Sequence, residues 1–331
     1  MPTFTRLRLH KISALHIGLG RDSYDTSAND IPSDSLTAAI AAIRAMEGKG
    51  DDLEAFLSSF SLSSAFPYQD SEYFLPRPNG RLNITVAGKA EHESRKDLKK
   101  LQYISSDVWN QLASGQTVEV KPEQLHKEYL LAKSDTNFTP PMMKATTTRV
   151  SVSRTMEDDA QPYQYQWTFF KNGKQESGLY CLLCAESEET EKEVVRLFQT
   201  LGQTGFGSGK SVGGGMFEII EEKMTFPDID GNATMLLSTY IPSLSETAAL
   251  NLPHSNYQLV KRGGFMAGSE KEGWRHLRRK IVNMFNTGSV FSTTTDLQGI
   301  VVELTPDWND AAMHPVLRSG KPFTIKIKAE I

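Results

Sequence analysis

One stretch concentrates the residue types that bind phosphate: Gly205-Phe206-Gly207-Ser208-Gly209-Lys210-Ser211-Val212-Gly213-Gly214-Gly215. Six glycines are interleaved with one lysine and two serines. Backbone N–H groups without side-chain cover, beside a fixed cation, make a receptor for phosphate oxygens. Gly209-Lys210-Ser211 matches the end of a nucleotide-binding P-loop, but that motif needs glycine five positions before Gly209, where Thr204 stands. It also needs strand, loop and helix in that order. Here a helical pattern precedes the loop and Met216 to Ile220 reads as a strand after it. A nucleoside-triphosphate site is rejected. The expectation is a phosphate receptor in which the glycines let backbone N–H groups approach the ligand, with Lys210 auxiliary.

Other stretches share that chemistry. Thr146-Thr147-Thr148-Arg149 offers hydroxyls and a guanidinium. Lys261-Arg262-Gly263-Gly264-Phe265 puts two cations beside a flexible turn and an aromatic ring. Trp274-Arg275-His276-Leu277-Arg278-Arg279-Lys280 packs four formal cations into seven residues. Basic residues interleaved with aromatics suit single-stranded RNA, whose bases stack while its phosphates are neutralised. A net charge of −4 means that such a surface must be local.

Catalytic sets are not assembled. The seven histidines are scattered, with no His-x-Glu or His-Glu-x-x-His spacing and no Gly-x-Ser-x-Gly elbow. Asp51-Asp52 and Asp158-Asp159 read as solvated loop pairs, so no metal or cofactor site is expected. The two cysteines, Cys181 and Cys184, stand in an apolar run and read as core residues on opposite strand faces. No apolar run approaches the roughly 20 residues of a membrane span, and the N-terminus lacks an apolar signal core; a cytoplasmic location is expected.

The elements that must hold these groups follow from periodicity. Leu7 and Leu9 alternate with Arg6, Arg8 and His10, a strand with one apolar and one basic face. Leu36, Ile40 and Ile43 form a helical stripe that Ser33 would cap, with Asp34 at the helix's positive end. Tyr163 to Phe170, Asn172-Gly173 and the return arm predict a hairpin leading into strand 179–184. Thr190 and Glu193 form a capping box for the helix bearing Val194, Leu197, Phe198 and Leu201, which Gly202 would end. The first 222 residues thus read βαββαβ, the ferredoxin-like order, with an insertion at roughly 80–178 projecting from it. A turn at Phe226 to Gly231 divides domain 1–228 from a second, degenerate unit of the same type at 229–331. In that unit Val290 to Thr294 would pair with Ile300 to Leu304, and Phe323, Ile325, Ile327 and Ile331 would share a face.

A further set of stretches, in this order, carries a family resemblance: His16-Ile17-Gly18; Ser33-Asp34-Ser35-Leu36; Ala65-Phe66-Pro67-Tyr68 with Phe74-Leu75-Pro76-Arg77-Pro78; Ala145 to Arg149; the glycine loop; Gly263-Gly264-Phe265; Gly288-Ser289-Val290-Phe291; and His314-Pro315-Val316. Over essentially its full length the chain resembles the RAMP-superfamily subunits that cap the crRNA 5′ end in type III-A (Csm) CRISPR interference complexes, the family of fourth Csm subunits. The loop has one lysine and one serine where that family commonly has paired ones. The resemblance implies an α+β chain of two ferredoxin-like (RRM-like) domains with a projecting thumb. It implies a heteromeric ribonucleoprotein in which this subunit binds the crRNA 5′ tag, the large polymerase-like subunit and the backbone RAMP subunit, without being a nuclease. The candidate RNA-binding set is His16, Ser33, Asp34, Thr147, Thr148, Arg149, Gly207, Ser208, Gly209, Lys210, Ser211, Gly213, Gly214, Gly215, Lys261, Arg262, Gly263, Arg275, Arg278, Arg279 and Lys280. The rival is a metal-independent crRNA-processing ribonuclease of the same superfamily with His10 or His16 as base. A third reading is a protein–protein adaptor whose basic patches face an acidic partner.

Overall fold

A computed structural model describes residues 3–18, 24–152, 160–266, 274, 277–307 and 313–330. The chain opens with β1 (Thr3–His10), α1 (Ser33–Met46), α2 (Leu53–Ser58), β2 (Phe60–Leu62), β3 (Phe66–Gln69) and β4 (Glu72–Pro76). The next segment holds β5 (Ile84–Val86), α3 (Glu91–Lys100), β6 (Tyr103–Ser105), α4 (Ser106–Ala113), β7 (Val118–Val120), β8 (Leu125–His126) and β9 (Tyr129–Leu130). Then come β10 (Met142–Ser151), β11 (Gln161–Phe170), β12 (Ser177–Ala185), α5 (Glu188–Thr204) and β13 (Glu218–Thr225). The remainder holds β14 (Ala233–Leu236), α6 (Leu244–Ala249), β15 (Leu259–Arg262), β16 (Val282–Phe285), β17 (Val290–Phe291), β18 (Val301–Glu303), β19 (Leu317–Ser319) and β20 (Thr324–Ile327). None of the described helices is long and apolar enough to cross a membrane.

The main sheet has the order β13-β1-β12-β3-β4-β6-β9-β8, with β2 also on β12. Its first four strands pair antiparallel. Alternation along β1 sends Leu7 and Leu9 beneath α1 and α5, where Leu36, Ile40, Val194, Leu197 and Phe198 are fully buried. Each such side chain contributes about 1.5–3 kcal/mol relative to an exposed one. Arg196 adds a tie between the two helices, bonding Glu47 at 2.9 Å and Glu193 at 2.8 Å. Arg6 and Arg8 face the other way, as expected, and are already engaged. Arg6 lies 3.7 Å from the Tyr73 ring centre, and both arginines pair with Glu222.

Part of the expected insertion does not project. β6, β9 and β8 continue the main sheet beyond β4, and α4 carries the buried Trp109. The core then runs across 226–232 into β17-β14-β20: Phe4 packs on Phe226 and, at 5.0 Å between ring centres, on Phe323. Ile325 and Ile327 are buried, and Ile331 lies outside the described residues.

Several local expectations are corrected. The Asn172-Gly173 hairpin does not form; Asn172 makes a single bridge to Glu176, and Gly173 is not left-handed. Instead β11 pairs with β10 from Met142↔Phe170 to Ser151↔Gln161. The physical reason is burial: β12 is apolar on both faces and belongs between β1 and β3, whereas β11 is exposed over its first four residues and at Phe169 and builds a two-stranded ribbon. Helix α5 starts earlier, at cap Ser187, which accepts the Thr190 N–H at 3.1 Å. Gly202 lies inside that helix, where a Cβ would stand 2.2 Å from the Phe217 carbonyl. Val290–Phe291 pairs with β14, and β18 pairs with β19. Of the cysteines, Cys181 is core but Cys184 is exposed at the strand end.

Candidate nucleic-acid interface

The glycine loop sits on one face of the β10–β11 ribbon. Period two places Tyr163, Tyr165 and Trp167 on that face, opposite Arg149, Thr147 and Ala145. The Trp167 ring lies under the loop: a Cβ on Gly209 would meet it at 2.4 Å and one on Gly214 at 2.9 Å. The Arg149 guanidinium lies 4.3 Å from the Tyr165 ring centre and 5.0 Å from that of Trp167. Tyr24 stacks on Tyr165 at 5.5 Å, and Tyr24 and Tyr163 remain 47% and 36% exposed. Burial raises the Tyr165 phenol above its usual value, against the opposing pull of Arg149, so it stays a neutral donor. Its hydroxyl is buried without a partner among the described residues.

The loop's own hydrogen bonds change what its glycines do. The Phe206, Ser208, Val212, Gly213, Gly214 and Gly215 N–H groups are spent on Gly215, His16, Gly209, Lys210, Gly209 and Ala14 carbonyls respectively. Among the described residues, the Gly207, Gly209, Lys210 and Ser211 N–H groups have no such acceptor. Space that a side chain would fill at Gly209 or Gly215 is taken by Trp167 and by the Phe206 carbonyl, the latter at 1.9 Å. Only Gly213, with φ +80° and nothing within 4 Å, faces open space within the loop. The glycines therefore pack the loop onto the protein, which corrects the expectation that they chiefly admit phosphate. Facing outward are Ser208, Lys210, Ser211 and Gly213, all exposed.

His16 is fully buried beneath this loop. Its Nδ1 lies 2.8 Å from the Gln166 carbonyl, its ring is 4.5 Å from Tyr165, and its own carbonyl holds Ser208. It supports the loop from below and is not a surface contact. Thr148 is corrected too: it stands on the opposite ribbon face, paired with Gln164 at 3.2 Å.

Ser33 and Asp34 form part of a buried seam, not of an RNA surface. Pro32, not Ser33, is the N-cap of α1, and Ser33 Oγ accepts the Thr239 N–H at 3.0 Å. Asp34 is 1% exposed and pairs with Arg318 and, at 2.9 Å, with Arg262. Arg279 turns toward the same seam and donates to the Gly263 carbonyl. Burial, with Arg318 and Arg262 nearby, pushes its guanidinium down to about 10. These contacts occupy Arg262, Gly263 and Arg279. Lys261 and Arg278 stay exposed, Arg278 lying 5.0 Å from the Phe265 ring centre. Lys280 pairs with Asp307 at 2.5 Å, and Arg275 lies outside the described residues.

Sequence reasoning thus brought Thr147, Arg149 and the loop to one place but missed the aromatic floor beneath them. The signal was present, since Tyr163-x-Tyr165-x-Trp167 is a period-two aromatic stripe. Arg318, one of several cations near the C-terminus, gave no comparable signal. Among the described residues no three His, Cys, Asp or Glu side chains converge as a metal-ligand set.

A profile described as the CRISPR Csm4 C-terminal domain matches residues 229–327. A protein named CRISPR system Cms protein Csm4 from Mycobacterium tuberculosis (strain ATCC 25618 / H37Rv) is 25% identical over 326 residues, 97% of each chain. Its namesake from Thermococcus onnurineus (strain NA1) is 28% identical over 254 residues, 73% of this chain and 78% of the relative. A chain in the crystal structure of the Csm3–Csm4 subcomplex of the type III-A interference complex has a TM-score of 0.64 at 17% identity, covering 98% of this chain and 100% of its own. One in the Csm1–Csm4 cassette with cA4 has a TM-score of 0.60 at 18% identity, covering both chains completely.

Proposed function

Because the chain belongs to the Csm4 family of type III CRISPR effector subunits, we propose that it anchors the crRNA 5′ tag as a non-catalytic subunit. In this reading it bridges the large polymerase-like subunit to the crRNA-bound backbone filament. Relatives solved with Csm1 and with Csm3 support both contacts. Residues 1–228 are read as a ferredoxin-like RAMP domain and 229–331 as a second, degenerate one. The antiparallel order β13-β1-β12-β3, with α1 and α5 packed on one face, supports the first assignment.

The observation that carries the RNA reading is the juxtaposition of the exposed Lys210-Ser211 crest with Arg149, Thr147 and the half-exposed Tyr24 and Tyr163 rings. Cation, hydroxyl and aromatic edges on one surface neutralise phosphates and stack bases. The ribonuclease alternative needs an accessible base, and of its two candidates the His16 ring is covered by the loop and Tyr165 while the mostly buried His10 lies between Glu176 and Glu218. Tag-RNA anisotropy tests the proposal. Arg149→Ala with Tyr163→Ala removes a charge-assisted contact and a stacking edge, each worth about 1–3 kcal/mol, and lowers affinity at least ~10-fold. Unchanged affinity in a folded double variant refutes it. Specific cleavage of repeat RNA in EDTA that disappears with His16→Ala establishes the enzyme instead.

A further inference from the structure

Two clefts outside the glycine-loop site are lined by cations. One, of about 780 Å³ between α3 and the β5–β7 pair, gathers Arg77, Arg81, Lys89, Arg95 and Lys99 against a single acid, Glu330. Arg95 and Lys99, four apart on α3, share one helix stripe and are exposed. Arg77 Nε is buried there without a partner among the described residues. The second cleft, of about 1010 Å³, gathers Lys99, Lys100, Lys127 and Lys144 against Glu128. Lys99 lines both, so the clefts meet at the C-terminal end of α3. Lys144 closes the other end: it lies on β10 and donates to the Ser27 carbonyl, while the Ser27 N–H is held by the Gln166 side chain of the platform ribbon.

We propose that these clefts form one basic track that carries the phosphodiester backbone of single-stranded RNA away from the glycine-loop platform, across α3 and into the β5–β7 cleft. The proposal rests on the reading of the platform as an RNA site and extends it to a longer footprint. Eight cations line the track against two acids, in a chain whose net charge is −4; Lys89 and Lys100 share Asp97 of α3, at 3.5 and 3.1 Å, which still leaves the track with excess positive charge. Apolar side chains do line both clefts, Leu82 and Leu98 in the first and Phe138 and Met142 in the second, but these are half-buried, and none of the large exposed apolar side chains is among the lining residues, as the apolar centre of a protein-docking surface would require. Concave walls that set exposed cations beside half-buried apolar side chains suit contacts to a single strand that do not depend on sequence.

The test is anisotropy of the full chain with two oligouridines, one of roughly six nucleotides and one of roughly twenty, bracketing the footprint of a single binding module. Arg95→Glu, Lys99→Glu and Lys127→Glu are introduced together, on exposed positions spanning both clefts, and folding is checked by circular dichroism. The triple variant is expected to bind the short RNA as wild type does and the long RNA at least ~10-fold more weakly. Its log–log salt slope on the long RNA should fall by about 2, three lost phosphate contacts at about 0.7 each. Equal binding of the long RNA, or equal losses on both RNAs, overturns the track. Intact RNA binding with lost co-purification of a protein partner also overturns it and makes the face a protein interface. Wild-type protein that binds neither RNA sinks the platform reading instead.

Discussion

Gly209 and Gly213 separate two accounts of the glycine loop. If the glycines admit phosphate, Gly213 is the sensitive position, because it alone in the loop has open space. If they pack the loop onto its floor, Gly209 is. An alanine Cβ at Gly209 would stand 2.4 Å from Trp167 Cη2 and 2.7 Å from Cζ3. Carbon atoms pack best about 3.5–4.0 Å apart, so loop and indole must separate by roughly 1 Å. Trp167 is 8% exposed and cannot swing into solvent. The overpacking costs about 1–3 kcal/mol and displaces the Lys210-Ser211 crest from Arg149. At Gly213 an alanine meets nothing and pays only for its left-handed backbone, about 1 kcal/mol. We expect Gly209→Ala to weaken tag-RNA binding at least ~10-fold, about 1.4 kcal/mol, and to shift tryptophan fluorescence. Gly213→Ala should bind within about 3-fold of wild type, roughly 0.6 kcal/mol. Anisotropy on both variants, with circular dichroism to confirm folding, decides. The reverse ranking refutes the packing argument.

Two further outcomes follow from charged seams. Asp34→Asn leaves Arg318 buried without its carboxylate, so urea unfolding should show a loss of about 3–5 kcal/mol, much of it recovered when Arg318 is also replaced by Met; a stable Asp34→Asn protein with weakened RNA binding would restore Asp34 to the RNA surface. Glu193 is held down at about 2, chiefly by its bond to Arg196, so its contribution is present above the ordinary glutamate range and lost as pH falls toward 2. Glu193→Gln should therefore lower stability by about 1 kcal/mol at neutral pH and not near pH 2, and a loss that does not change with pH in the same unfolding series contradicts the assignment.

What could be read in the chain was whatever repeats with a short period. The Leu7/Leu9 alternation, the stripe on α1 and the Val194 to Leu201 face all fold as their spacing requires. The Asn172-Gly173 turn failed because local turn chemistry competes with burial: β12 is apolar on both faces and is claimed by β1 and β3. Ser33 and Asp34 carry polar side chains at a helix start, which locally means a cap. Their partners, Thr239 and Arg318, stand over 200 residues away, and no local pattern announces such a seam. Likewise, the glycine loop was legible as a loop, but its floor is supplied by a ribbon whose strands lie elsewhere in the chain.

The strand order also bears on how the chain comes to be folded. β1 is made first, yet its hydrogen-bonding neighbours are β12 and β13, so it has no strand partner until residues beyond 177 have been synthesised. Phe4 waits longer still, for Phe323. Such long-range closure slows folding and leaves an apolar strand exposed while the rest emerges. Fragments ending before β13 would leave one edge of β1 unpaired, and the platform, seated between β1's loop and the end of α5, would lack its frame; fragments ending before β20 would leave Phe4 without Phe323. The RNA surface is thus framed only once the chain has been made through β13, although Thr147, Arg149 and Tyr163 are synthesised well before.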